Sequence, residues 1–224
     1  SQNWYELALY KADRNFVTNY MTFANDVDFH GPEFTYASQE LLNEFGKGYY
    51  SANATGVKAD DAVSAFEQGK YPIFIGGSWN FGAFLTTIKD FQWGLFPMPG
   101  KKLNTGSGGN LLAVPANAKS KDLAYDFLDI ALGTKAQTAM ANAGGIPINA
   151  DLSQITDPHI KDLNQAFDTI LKNDGLAFYP DWPAPGYMDT LVGSLQELVT
   201  KKKPVDAVLD QLAAPWKEYK SSLP

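Results

Sequence analysis

The sequence predicts an α/β protein in which helices dominate, and three observations carry that prediction. Apolar residues recur at helical spacing from 34 to 45, 123 to 131 and 163 to 171, and again toward the end of the chain. Between such stretches lie short apolar runs at 71 to 75, 91 to 97 and 111 to 115, which read as strands, the first of them covered on both faces. Punctuation agrees with the pattern: Pro32, Pro158 and Pro204 stand at first helical positions, and Gly46, Gly69 and Gly175 at helix ends.

Taken in order, residues 1 to 30 mix aromatics with polar residues and offer one possible helix over 5 to 11. Trp4 and Tyr5 admit two readings there, as core residues or as ligand-facing ones. A helix follows Pro32, with Phe34, Ala37, Leu41, Leu42 and Phe45 on one face. Asp60 is an N-cap for a short helix over 61 to 68, and the 71 to 75 strand follows. After Gly76-Gly77, Ser78 caps a helix to about residue 89, which leaves Trp79 and Asn80 in its first turn, where unpaired N–H donors attract oxygen-rich ligands. The 91 to 97 strand ends in Met98-Pro99-Gly100. A glycine-rich loop over 100 to 109 lacks the GK[ST] ending of a phosphate-binding loop and precedes a strand, so phosphate binding is disfavoured. Asn117 or Ser120 then starts a helix with Leu123, Ala124, Phe127, Leu128 and Ala131 inward, and Thr134 starts another through Asn142. The last third is helical, from Pro158, from Tyr187 and from Val205, interrupted by the aromatic and proline-rich loop 176 to 187.

Composition narrows the function. The chain has 224 residues, 45% hydrophobic and 19% charged, and no run of about 18 apolar residues that would suggest a membrane span. A formal charge of −7 argues against a nucleic-acid partner, because phosphate binding needs a concentrated basic surface. The absence of cysteine removes disulfides and thiol chemistry. The opening SQNWYELALYKAD has no basic start with an apolar middle and looks like the inside of a folded domain, so the expectation is a fragment.

Catalysis finds little support. The two histidines, His30 and His159, both read as solvated surface residues, and no metal-binding spacing appears. Carboxylate pairs drawn from Asp26, Asp28 and Asp181 keep a glycosidase reading open. Among the tryptophans, Trp93 and Trp216 read as core. Trp79 and Trp182 sit at glycine- or proline-rich loop edges, where a large apolar face suits a ligand with one apolar side and many hydroxyls, such as a sugar.

Several pieces together carry a family resemblance. VDFHGPE before a helix, AVSAFEQGKYPIFIGGSWNFGAF, WGLFPMPG and GGNLLAVPANAKSKDLAYDFLDIALGTKAQTAMANAGGIPIN resemble, in order, the extracellular solute-binding proteins of bacterial ABC importers, in their sugar-binding, maltose-binding-protein-like class. The chain departs from the pattern at Tyr71-Pro72-Ile73-Phe74, where the family more often has small residues and methionine.

The resemblance implies a periplasmic-binding-protein-like (type II) fold, two α/β lobes around a cleft, without most of the N-terminal lobe. It places 1–91 and 150–224 in the helix-rich C-terminal lobe and returns 92–149 to the N-terminal lobe. It implies capture of a sugar or oligosaccharide in the periplasm or outside the cell and delivery to an ABC permease, without catalysis, cofactor or metal. A lipid anchor on the full-length parent is one option. Carried over residue by residue, Trp79 is the stacking tryptophan and Asn80 a hydroxyl partner. Trp182 is the late cleft aromatic with Asp181 beside it, Trp4 or Tyr5 the early one, and Asn110 a residue near the crossover. Two rivals stand beside this reading: a carbohydrate-active enzyme with a carboxylate pair, and a fragment that binds nothing and instead dimerises or swaps elements.

Overall fold

A computed structural model describes residues 2–106, 112–179 and 183–224. Among the described residues the helices are α1 (Gln2–Ala8), α2 (Arg14–Thr22), α3 (Pro32–Gly46), α4 (Ala59–Glu67), α5 (Phe81–Thr87), α6 (Lys121–Leu132), α7 (Thr134–Asn142), α8 (Pro158–Lys172), α9 (Tyr187–Val199) and α10 (Val205–Ser222). The strands are β1 (Asn104–Thr105) and β2 (Leu176–Ala177), parallel, with Asn104 opposite Leu176 and Thr105 opposite Ala177. The chain forms two compact units. Unit 1 holds Ser1–Lys58, Met98–Ser107 and Ile170–Pro224, and unit 2 holds Ala59–Pro97 and Gly108–Thr169. Residues 59–91, grouped with 1–58 by the sequence expectation, lie in unit 2.

Unit 1 is organised around a dense aromatic core. Trp4, Tyr5, Tyr20, Phe29, Phe34, Tyr187 and Trp216 are all fully or almost fully buried, joined by Leu191 and Leu198 of α9 and Leu209 and Leu212 of α10. Trp4 stacks on Phe34 at 4.9 Å between ring centroids. Buried indoles need partners for their N–H. Trp4 Nε1 donates to Ser38 Oγ at 3.0 Å, and Trp216 Nε1 donates to the Tyr20 carbonyl at 2.8 Å. The sequence reading of Trp216 as core agrees with this burial.

Local signals explain the helix ends. The Asp13 side chain accepts from the Phe16 N–H at 2.8 Å and caps α2, and Pro32 opens α3. A charged cluster fastens the β1 segment to α1. The Lys101 ammonium pairs with the Glu6 carboxylate, Glu6 Oε1 also accepts from the Thr105 N–H at 3.1 Å, and Tyr10 donates to the Pro99 carbonyl at 2.9 Å.

Unit 2 has a smaller core of Phe81, Ala141, Ile155, Ile160 and Leu163, with Leu85, Trp93 and Leu95 half-buried against it. Beside it Phe66, Phe74, Phe84 and Phe91 pack ring against ring. The start of α5 meets the turn after α7 at two glycines. A Cβ on Gly144 would stand 2.5 Å from the Gly82 nitrogen, and its φ of +98° is one that side-chain-bearing residues rarely adopt.

Here the sequence expectations need correction. Residues 71 to 75, 91 to 97 and 112 to 115 adopt no regular secondary structure and form no ladder among the described residues. Tyr71, Ile73 and Ile75 are exposed rather than covered on both faces. An apolar run becomes a strand only when a neighbouring chain accepts its hydrogen bonds, and none does so here. The helix expected from Ser78 to about 89 is a 3₁₀ turn, Ser78–Asn80, followed by the shorter α5, with no side-chain cap. Asp60 lies inside the first turn of α4 instead of capping it. On α6 the expected inward residues divide: Ala124, Leu128 and Ala131 are half-buried, whereas Leu123 and Phe127 are exposed.

Candidate functional site

The irregular segment 71 to 77 delivers the chain into the 3₁₀ turn that carries Trp79. Gly77 is extended, with φ −112° and ψ 168°, so it is not chosen for a left-handed backbone. Its role is space. A Cβ on Gly77 would lie 2.2 Å from the Trp79 ring, so the indole lies directly over the glycine backbone. Trp79 keeps 64% of its surface accessible in this position. A flat apolar face of that size, held by a glycine floor and a hydrogen-bonded turn, can cover the C–H face of a pyranose ring while polar groups meet its hydroxyls.

Asn80 is half-buried beside it, and its Nδ2 donates to the Gly77 carbonyl at 3.3 Å. The Asn80 backbone N–H donates to the same carbonyl at 3.2 Å, so this donor, expected to be unpaired, is already used. What Asn80 offers beyond the turn is its Oδ1 acceptor and the second hydrogen of Nδ2. Trp4 and Tyr5 lie in unit 1, inside its core, which is the first of their two sequence readings. The Tyr5 hydroxyl is buried without a hydrogen-bond partner among the described residues, and burial, reinforced by Tyr187, raises its pKa. Asn110, Asp181 and Trp182 lie outside the described residues.

His30 is exposed, as the surface reading expects, whereas His159 is half-buried. His159 stacks face to face on Trp93, 4.1 Å between centroids and 10° between planes, with Trp93 set edge-on to Phe81 and Phe84. The pairing joins residues 66 positions apart, which local pattern cannot foresee. His30 Nε2 stands 2.9 Å from Asp210 Oδ1, and Nδ1 stands 3.8 Å from Asp206. The hydrogen bond to Asp210 raises the His30 pKa, partly offset by desolvation.

Two of the carboxylates of the enzyme reading, Asp26 and Asp28, have structural work. Asp26 is paired with Lys220 at 2.5 Å, which lowers its pKa, and Asp28 accepts from the His30 N–H at 2.9 Å. Among the described residues no group of three His, Cys, Asp or Glu side chains could hold a metal ion, and no helix is long and apolar enough to cross a membrane. Unit 1 also carries a polar cavity of about 570 Å³ that sequence reading did not find, between α9 and α10, lined by Thr190, Gly193, Ser194, Glu197 and Gln211. Its residues come from α9, α10, the connection between them (Thr200, Lys202) and Thr55, each individually unremarkable in sequence.

Comparison with known proteins gives this geometry its setting. A family described as bacterial extracellular solute-binding protein matches residues 1–169. The diacetylchitobiose binding protein DasA of Streptomyces coelicolor is 30% identical over 149 residues, spanning 63% of this chain and 35% of its own length. A solved chitin oligosaccharide binding protein superposes with a TM-score of 0.75 at 18% identity, over 100% of this chain and 57% of its own. A solved binding protein, MsmE, from Bacillus subtilis in an open conformation superposes with a TM-score of 0.70 at 19% identity, over 98% of this chain and 56% of its own. The chain thus spans about a third of the curated relative and little more than half of each solved neighbour. The neighbours share the fold, a helix-rich α/β arrangement of the periplasmic-binding-protein type. With three quarters of its length matched by the family, this chain belongs to the bacterial extracellular solute-binding proteins.

Proposed function

We propose that the chain serves as the substrate-capturing component of an ABC importer for a sugar or oligosaccharide, with N-acetylated chito-oligosaccharides as the first class to test. One observation carries the reading: Trp79, exposed and laid over Gly77, presents an aromatic platform in a member of a solute-binding family. The names of the diacetylchitobiose-binding relative and the chitin-oligosaccharide-binding neighbour support the choice of sugar. Asn80 Oδ1 is the proposed first hydroxyl partner, and Trp182, Asp181 and Asn110 are proposed further contacts. Trp4 and Tyr5 support the fold from within the unit 1 core rather than touching ligand. Capture is non-catalytic in this reading, and the sugar passes unchanged to a membrane permease.

Thermal unfolding of the chain with N,N′-diacetylchitobiose, longer chito-oligosaccharides, maltose and a non-sugar control tests the proposal. A bound ligand at a hundredfold excess over its Kd stabilises the folded state by about 2.7 kcal/mol. A raised midpoint with one of the sugars and none with the control is expected. A cooperatively folded chain whose midpoint no sugar moves would count against sugar capture, and sugar turnover would replace capture by catalysis.

A further inference from the structure

The Gly76-Gly77 turn carries two aromatic rings, and the proposed sugar site uses only one of them. Trp79 covers Gly77, and Phe74 covers Gly76: a Cβ on Gly76 would lie 2.1 Å from Phe74 Cε1, 2.7 Å from Cζ and 2.9 Å from Cδ1. Each ring reaches a glycine two residues away, one from before the turn and one from after it. Nothing larger than glycine fits beneath either ring without displacing it.

The two rings differ in what holds them. Trp79 is 64% exposed, whereas Phe74 is the one residue of 71 to 76 that is half-buried rather than exposed. Phe74 packs on Phe66 of α4 at 5.7 Å between centroids and stands edge-on to Phe84 of α5 at 5.9 Å. Phe84 is 4% exposed and meets Phe81 and Trp93, so Phe74 joins the turn to the core of unit 2. From the other side the turn runs directly into α5 at Phe81, and the Trp79 segment is fastened at both ends. An aromatic platform binds best when it is fixed before the ligand arrives, because a ring that must be ordered on binding loses affinity to that ordering.

We propose that Phe74 is a positioning residue: packed on Phe66 and Phe84, its ring bears on Gly76 and sets where the Gly77 floor holds Trp79, without touching ligand itself. The consequence for affinity rests on the sugar reading of Trp79, whereas the positioning does not. Phe91 supplies the control, since its ring stands edge-on to Phe66 in the same cluster at 6.2 Å but lies against Gly69 instead of Gly76.

Fluorine NMR of fluorotryptophan-labelled protein reads the surroundings of Trp79, its line assigned by its loss in Trp79→Phe, with a melting curve for every variant. Phe74→Leu removes the ring, and Gly76→Ala keeps the ring but drives it off the turn. Each should move the Trp79 line toward that of free fluorotryptophan, while Phe91→Leu leaves it in place. The two variants reach one contact from opposite sides, so a folding defect in one leaves the other to decide. Titration with the sugar that wild type binds most tightly should show Phe74→Leu weakening Kd about threefold to tenfold, the range for one side chain that must be ordered on binding. In a Trp79→Ala background the same substitution should weaken Kd no further, because the ring it positions is gone. Three results overturn the proposal: a Trp79 line that a folded Phe74→Leu or Gly76→Ala leaves in place; a line moved as far by Phe91→Leu; or an equal loss of affinity with and without Trp79. If wild type binds no sugar, the proposed function fails and the fluorine line alone decides the role of Phe74.

Discussion

Replacing Glu6 by glutamine should expose how unit 1 holds its β1 segment. Lys101 has its side chain fully enclosed beside the Glu6 carboxylate, with the Tyr10 ring 5.8 Å from its ammonium, and burial pushes its pKa down from 10.5 to about 7. Without the carboxylate the ammonium loses its counter-charge, and breaking such a buried pair costs about 3–5 kcal/mol. Lysine has one escape, release of its proton, which the folded wild type itself begins near pH 7, so relative to wild type the loss is limited to about 1.4 kcal/mol for each unit by which the solution pH lies below that value. That route limits the loss to about 3 kcal/mol at pH 5 and lets it fade above pH 7. The sign follows from proton counting. Below pH 7 the unfolded variant holds a proton that the folded variant has shed, so its stability rises with pH over this window, whereas the wild type keeps the proton in both states. Urea unfolding of wild type and Glu6→Gln at pH 5, 6 and 8, followed by far-ultraviolet circular dichroism, measures the difference directly. Glu6→Gln combined with Lys101→Met should recover most of the loss, because an apolar pair of similar size removes the stranded charge. A loss below about 1 kcal/mol that stays constant with pH would show that Lys101 is not enclosed as described, and the reasoning would fail.

Two further outcomes follow from the same structure. The raised pKa of His30 means that its contact with Asp210 adds stability that is fully present below about pH 6.5, the unfolded histidine value, and is lost as pH climbs through the folded value above it. Asp210→Asn should flatten that part of the stability profile, as read from melting midpoints between pH 5 and about 8, the range in which histidine titrates. Trp216→Phe should cost about 1–3 kcal/mol, since it removes the donor to the Tyr20 carbonyl and leaves a gap beside Phe23 and Phe29. Calorimetric unfolding that shows no loss would place Trp216 outside the core.

Helices were legible in the sequence where packing and periodicity agree. On α3 the predicted stripe of Phe34, Ala37 and Leu41 is the buried one, and on α9 and α10 the leucine spacing meets the core of unit 1. Residues 71 to 75 misled because their composition reports strand tendency, while a strand also needs a neighbour to bond, and that information lies elsewhere in the polypeptide. Leu123 and Phe127 misled for the same reason: periodicity predicts a packing face but not whether anything packs on it. At the candidate site, the glycine turn and Trp79 were readable because a large aromatic after Gly-Gly has few structural uses. The Gly77 floor, the double use of the Gly77 carbonyl by Asn80, and the stacking of His159 on Trp93 were not. Each depends on a three-dimensional approach that no local spacing encodes.

The account rests most heavily on Trp79 as the sugar platform. The measurement is a calorimetric titration of wild type and Trp79→Ala with the oligosaccharide that shifts the wild-type midpoint most, beside the melting curve of each protein. An exposed tryptophan that anchors a ligand contributes about 2 kcal/mol, so the variant should bind about thirtyfold more weakly. Its midpoint without sugar should stay close to wild type, because 64% of the residue's surface already faces solvent. An unchanged Kd in a variant that folds normally would contradict the central claim and move the sugar site away from the Gly76-Gly77 turn.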